Sequence, residues 1–299
     1  MEKEREQDPV KVEILAFTDP YCSWCWAAEP MLLALKERYR EQMRLIHVFG
    51  GMIRDMDDFY DERNNIASAE AVMPHWRDAS ERCGQPIDEL VWKEIAEIRH
   101  FSSWPANIAC KAAFLQGEEV GFRYLRKMRI GLFTERKIIS NREVFRKTAE
   151  ETEGLDLCEF EKSLEDGRAE KAFKEDLLLN QRLGVYQFPT LIFRRCKAEG
   201  ERTGREDAVP LGGYHSTRMY EEVIRRLAPE IHSYEARGEQ QLLALYGALT
   251  EREIAEMKGR NKEEEILILE ELAEKGEICK LPKVRGNLWM IRGERDGGR

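Results

Sequence analysis

Seven cysteines are spread along this 299-residue chain, and only two stand in chemical register: Cys22-Ser23-Trp24-Cys25. Two thiols separated by two residues perform dithiol–disulfide exchange when the first forms a mixed disulfide and the second attacks it. On a helix the pair lies about one turn apart, on the same face. If the motif opens a helix, the unpaired N–H groups and the dipole there stabilise a thiolate on the first sulfur. Cys22 is then the nucleophile and Cys25 the resolving thiol. Ser23 and Trp24 set access, with Trp24 a candidate contact for substrate. Zinc binding needs a second ligand pair, but Cys83, Cys110, Cys158, Cys196 and Cys279 are isolated, and His47 and His75 lie in no ligand spacing. Neither metal nor cofactor is expected. Two further readings stay open: an inert buried pair, and a motif retained in a protein that now only binds. Asp19 and Glu29 flank the motif and read as exposed acids.

The elements around the motif must place it at a helix start. Val10 to Phe17 alternates and then runs apolar, as a buried strand does; Asp19-Pro20-Tyr21 breaks it. Apolar residues recur at helical spacing from Cys22 to about Tyr39, and Met43 to Phe49 is a second strand ending at Gly50-Gly51. This is a βαβ unit. From about Asp57 to Leu183 the signals are almost all helical, with stops at Gly117, Gly154 and Gly184 and caps at Ser140-Asn141 and Asp156. Phe188-Pro189-Thr190 then opens a strand running to Arg194. Val209 to Gly213 reads as an edge strand and Ser216 to Leu227 as a helix. A proline opening a strand is unusual, although an ordinary trans bond is its commoner form. Beyond Pro229 come helical stretches at 242–246, 249–257 and 262–275. A hairpin follows, with Ile278–Leu281 and Leu288–Ile291 flanking Arg285-Gly286-Asn287. The expected fold is α/β, in four pieces. Residues 10–56 and 184–228 form one interrupted domain, 57–183 a helical insertion, 233–291 a winged-helix-like module, and 292–299 a loose tail.

Cys22-Ser-Trp-Cys25 after Phe17-Thr-Asp-Pro-Tyr, Pro30 five residues on, Ser103-Trp-Pro-Ala106, and Gly184-Val-Tyr-Gln-Phe-Pro189-Thr-Leu resemble the DsbA-like branch of the thioredoxin superfamily, near its FrnE-type members. The resemblance spans about 10–228. It implies a thioredoxin-like fold with a large helical insertion. Pro189 is implied to be cis and to face the cysteine pair, with the Phe188 backbone and Thr190 aligning an extended substrate. It also implies a thiol–disulfide oxidoreductase or isomerase acting on a protein or small-molecule disulfide or dithiol. A related branch, the kappa-class glutathione transferases, has serine at the first cysteine; both cysteines here weigh against it. The C-terminal piece, with Gly286-Asn-Leu-Trp289, resembles the YjbH/SpxH group, adapters that deliver a regulator to the ClpXP protease. That alternative makes the chain a protein-binding module, with a protein partner docked in part through its C-terminal module.

Charge narrows the partners. With 48 basic and 57 acidic residues the net charge is −9, and mean hydropathy is −0.59. An acidic chain repels phosphate, so neither nucleic acid nor anionic membrane is expected. The stretch 262–275 carries six glutamates against Lys262 and Lys275, which speaks against its reading DNA. Lys280, Lys283 and Arg285 leave the hairpin basic and available to an anion. No apolar run approaches the roughly 18 residues of a membrane span. The charged start, Met1 to Asp8, lacks a signal-peptide core; the expected location is cytoplasmic, where structural disulfides are rare.

Overall fold

The strand Val12–Thr18 (β1) is apolar at nearly every position and almost wholly buried, the pattern of a strand inside a sheet. In the computed structural model, which describes residues 10–196, 204 and 207–293, it is indeed an inner strand. The helix Ser23–Tyr39 (α1) crosses to Met43–Phe49 (β2), parallel to β1. Thr190–Arg195 (β3) lies antiparallel on the other side of β1, and Ala208–Gly212 (β4) forms the far edge. The order is β2-β1-β3-β4. The charged leader and residues 294–299 of the expected tail lie outside the described residues.

Both sheet faces are covered. Met31, Leu32 and Leu35 of α1 join Tyr220, Ile224 and Leu227 of Thr217–Leu227 (α9) against Ile14, Leu191 and Phe193. Seven helices run between β2 and β3: Ala69–Cys83 (α2), Val91–Ile95 (α3), Trp104–Phe114 (α4), Glu118–Glu135 (α5), Arg142–Glu150 (α6), Leu157–Glu165 (α7) and Arg168–Leu183 (α8). Side-chain caps define the starts of α6 and α7: Asn141 Oδ1 accepts from Glu143 N–H at 2.9 Å, and Asp156 Oδ1 from Glu159 N–H at 3.0 Å. Gly184 ends α8 in the left-handed conformation at φ 66°. Trp26, Trp76, Trp92 and Phe133 anchor the core of this block, with Trp26 stacked on Phe133 at 5.6 Å. Met56 and Met128 are buried with them, while Met73 and Trp104 pack at the margin.

The C-terminal part contains Glu239–Tyr246 (α10), Leu249–Thr250 (β5), Glu251–Lys258 (α11), Lys262–Glu274 (α12), Ile278–Lys283 (β6) and Gly286–Ile291 (β7). Its sheet has the order β5-β7-β6, so a short third strand joins the hairpin. The hairpin turns at Val284-Arg285, with Arg285 at φ 61°, and Gly286 and Asn287 already belong to β7. The turn is thus earlier than the glycine indicated.

This part packs on the back of α1. Leu33 and Ala34 of α1 and Phe122 of α5 share one buried cluster with Leu242, Leu249, Ile254, Leu269 and Trp289. The hairpin's cations are already occupied: Lys280 pairs with Glu270, Lys283 with Glu135 at 2.9 Å, and Arg285 with Glu89. The expectation of a basic hairpin free for an anion is therefore corrected, because the chain's own carboxylates neutralise it. Among the described residues, no helix is long and apolar enough to cross a membrane.

Candidate functional site around the cysteine pair

Cys22 is the N-cap of α1. The chain arrives in β1 and is turned by Asp19, whose Oδ1 accepts the Tyr21 N–H at 2.8 Å, an Asx turn. Asp19 C=O then accepts the Cys22 N–H at 3.1 Å. Cys22 sits in extended conformation at φ −78° and ψ 108°, and its Sγ accepts the Cys25 N–H at 3.0 Å. One orphan donor of the helix start is thereby aimed at the sulfur, as thiolate stabilisation requires. Cys22 and Cys25 are joined as a disulfide with Cα atoms 5.1 Å apart. The pair is covered: Cys22 is 3% exposed and Cys25 2%.

The strand register brings the second predicted segment to the same end of the sheet. Phe17 faces Thr190 across β1 and β3, so the loop after β1 and the loop before β3 emerge side by side. The Phe188–Pro189 peptide is cis. Pro189 C=O accepts the Gly213 N–H at 2.7 Å, and Thr190 Oγ1 donates to Gln187 C=O at 2.9 Å. The ring of Phe188 lies over Gly50; a Cβ at that position would overlap it. This close approach explains the glycine that follows β2. Arg63, from the segment before α2, bonds Gln187 across this loop.

Trp24 turns toward the helical block. Its Nε1–H donates to His75 Nε2 at 3.0 Å, Arg82 lies over its ring at 5.1 Å, and Tyr214 packs at 5.8 Å. Burial lowers the His75 pKa, with Asp61 and Asp78 opposing; a neutral ring leaves Nε2 free to accept. Trp24 thus ties the cysteine motif to α2 and to the residues after β4.

The flanking acids are the main correction. Asp19 and Glu29 are both fully buried rather than exposed. Asp19 Oδ2 accepts from Met52 N–H at 2.8 Å, Asn107 Nδ2 at 2.9 Å and Ser103 Oγ at 3.2 Å. Burial raises its pKa, and these donors oppose the rise. Glu29, one turn past Cys25, receives Arg129 and, at 3.1 Å, Arg126. Arg129 also reaches Thr18 Oγ1 and, at 3.5 Å, the Asp19 carbonyl. Arg126 bonds Glu253 of α11 at 2.9 and 3.2 Å and Ala248 C=O at 3.0 Å. Burial alone would lower the Arg126 pKa, but Glu253 and Glu29 outweigh it and hold the guanidinium charged. A dry, alternating chain of charges therefore runs from the cysteine loop, through α1 and α5, to the C-terminal part. Nothing local in the sequence marks it, since its acidic and basic partners lie about a hundred or more residues apart.

Among the described residues, the remaining chemistry-bearing groups do not assemble a second centre. Burial pushes the Cys83 thiol up to about 11 and raises Cys110 further. Cys158 is exposed, and Cys196 and Cys279 are half-buried. His47 is buried between Phe114 and Phe122 with both ring nitrogens unpartnered. Asp55, Asp57 and His100 offer ligand-type atoms within 4.8 Å of one another at the surface. His100 already bonds Asp55 at 2.9 Å, so an ion pair accounts for the grouping.

The comparisons agree with this geometry. A family model described as thioredoxin matches residues 15–222. The chain is 30% identical over 279 residues to the ClpXP adapter protein SpxH of Bacillus subtilis, covering 93% of this chain and 88% of the relative. SpxH of Halalkalibacterium halodurans is 27% identical over 289 residues, covering 96% and 90%. A putative protein disulfide isomerase from Nitrosomonas europaea shares the fold at a TM-score of 0.56 and 19% identity, with 73% of this chain and 96% of that one covered. The sheet, the helix-capping cysteine pair and the whole-length match together show that this chain belongs to the thioredoxin-like SpxH family.

Proposed function

We propose that this chain is a cytoplasmic adapter that binds a protein client and presents it to the ClpXP protease, as the name of its SpxH relatives describes. The observation that carries this reading is the reach of the similarity. The SpxH proteins match 93–96% of the chain, including the part built from α10 to β7. The disulfide-isomerase-like structure is almost used up on 73% and has no room for that part. The added part is also bound to the dithiol domain by buried ions and a shared apolar cluster, as a scaffold holding a client in one orientation requires. The test is the degradation rate of the delivered regulator by purified ClpXP with and without this protein. Acceleration supports the reading, and an unchanged rate with a client that binds overturns it.

A second reading, dithiol–disulfide exchange, is favoured by the N-cap geometry of Cys22. Here a reduced Cys22 thiolate attacks a substrate disulfide, releasing one substrate thiolate and forming a mixed disulfide. Cys25 then displaces the second thiolate and closes the Cys22–Cys25 bond. Phe188, Pro189 and Thr190 would align the substrate strand. Reactive cysteines are usually partly exposed, and the near-complete cover over this pair ranks the reading second. Insulin reduction by wild type and its loss in Cys22→Ser support it; equal rates in the two overturn it.

A further inference from the structure

We propose that Trp24 is a shutter over the cysteine pair, and that His75, by accepting its indole N–H, is the positioning residue that holds the shutter closed. The proposal rests on the dithiol-exchange reading for the use of the pair, and it supplies the regulation of that site. Cys22, Ser23 and Cys25 are 3%, 4% and 2% exposed, and Trp24 is the one residue of the motif that is not buried. The group whose displacement would open the motif to solvent is therefore its indole. Three contacts hold that indole in place. His75 of α2 accepts its Nε1–H at 3.0 Å, with the two rings edge to face. Arg82, two turns further along α2, lies over the ring at 5.1 Å, and Tyr214, after β4, packs at 5.8 Å.

Of the three contacts, only the hydrogen bond depends on a group that changes charge near neutral pH. A neutral imidazole accepts at Nε2, whereas a protonated one carries hydrogens on both nitrogens and accepts at neither. Its own N–H then faces the indole N–H, and attraction becomes repulsion. Burial favours the neutral ring. Asp61, at the base of the bridged turn 61–66, and Asp78 of α2, which also pairs with Arg82 at 3.3 Å, oppose it. The other ionisable groups at this corner stand around Tyr214: Cys83, and Arg252 and Glu256 of α11. With the bond made, the pair is withheld from solvent. With it broken, the indole keeps only Arg82 and Tyr214 and swings clear more often. Exchange then takes place from a minor open state whose population His75 sets. This reconciles the thiolate-stabilising N-cap geometry of Cys22 with its near-complete burial.

The test measures how fast a water-soluble phosphine opens the Cys22–Cys25 bond in the oxidised full chain. The phosphine attacks one sulfur and the other leaves as a thiolate; water then releases the second thiol and the phosphine oxide, so no protein partner is needed. Acid quenching, alkylation and peptide mass spectrometry count the new thiols at Cys22 and Cys25 apart from the free cysteines. Each rate is divided by that of His75→Gln at the same pH, which removes the reagent's own pH dependence. Gln offers an amide oxygen in place of Nε2 and does not titrate, so it rescues the closed state at every pH. His75→Leu and Trp24→Phe each remove the bond and should open about five-fold faster at pH 7.5, the weight of one neutral hydrogen bond. Combined, they should gain nothing further. Wild type should match His75→Gln at pH 7.5 and rise toward the His75→Leu rate as pH falls, with a midpoint below 6.5. A wild-type ratio that stays flat down to pH 5, or a His75→Leu rate within about two-fold of His75→Gln at pH 7.5, overturns the proposal. Additive effects of His75→Leu and Trp24→Phe also overturn it. If circular dichroism shows that His75→Leu disturbs folding, the ratio of wild type to His75→Gln decides alone. Insulin reduction by wild type together with a flat ratio overturns the shutter and leaves dithiol exchange standing. A ratio that rises as described, with insulin untouched at every pH, does the opposite.

Discussion

Replacing Arg126 with Met tests whether the buried charge chain holds the C-terminal part in place. The side chain is 2% exposed and bonds Glu29 at 3.1 Å, Glu253 at 2.9 and 3.2 Å, and the Ala248 carbonyl at 3.0 Å. Methionine fills a similar volume but leaves two fully buried carboxylates with fewer partners. Glu29 keeps Arg129, whereas among the described residues Glu253 keeps only the Thr250 N–H at 2.9 Å and Gln85 at 3.4 Å. Removing one member of a buried pair costs about 3–5 kcal/mol. The surviving Arg129–Glu29 pair places the expectation near the lower end, about 3 kcal/mol. At roughly 2–4 °C per kcal/mol for a chain of this order, the melting temperature should fall by about 6–12 °C. The assay is urea and thermal unfolding followed by tryptophan fluorescence, because Trp26 and Trp289 sit on either side of the network. A double variant, Arg126→Met with Glu253→Gln, removes the stranded charge and should recover part of the loss, with a coupling of about 1 kcal/mol or more. A single variant within about 0.5 kcal/mol of wild type, the spread of ordinary surface changes, would refute the claim that these ions hold the parts together.

Two pH predictions follow from the cysteine loop. Asp19 has its pKa raised above the usual 3.8 by burial, so its contribution to stability is complete below that value and is lost as pH rises through the folded pKa. The unfolding free energy of wild type relative to Asp19→Asn should therefore fall from pH 4 toward neutrality; a rise would contradict the burial argument. His75 has its pKa lowered from 6.5 by burial, so its contribution is present above 6.5 and lost as pH falls through the folded value. The fluorescence difference between wild type and Trp24→Phe should titrate with a midpoint below 6.5 as protonation removes the acceptor of the Trp24 N–H; a midpoint at or above 6.5 would sink the assignment.

Much of this architecture is written in local patterns. Met43–Phe49 is mostly apolar and is β2 over those bounds, and Leu157–Glu165, between Asp156 and a polar turn, is α7. The N-cap position of the cysteine motif follows from a strand that breaks at Asp-Pro and an apolar helical period after it. Other features depend on residues far apart. The strand β5, two residues long, exists only because it pairs with Leu288 and Trp289. Asp19 and Glu29 look like surface acids because their partners, Asn107, Arg126 and Arg129, lie 88 to 100 positions away. Likewise, a local charge count shows the hairpin cations but not Glu89 and Glu135, which pair with them.

The most direct test of the adapter account is the ClpXP degradation rate of the delivered regulator with wild type and with a Cys22→Ser/Cys25→Ser variant. If client binding belongs to the scaffold and the dithiol is secondary, the variant accelerates degradation to within about two-fold of wild type, a difference below 0.5 kcal/mol. Loss of acceleration in a variant that remains folded would contradict that account and make the cysteine chemistry part of delivery.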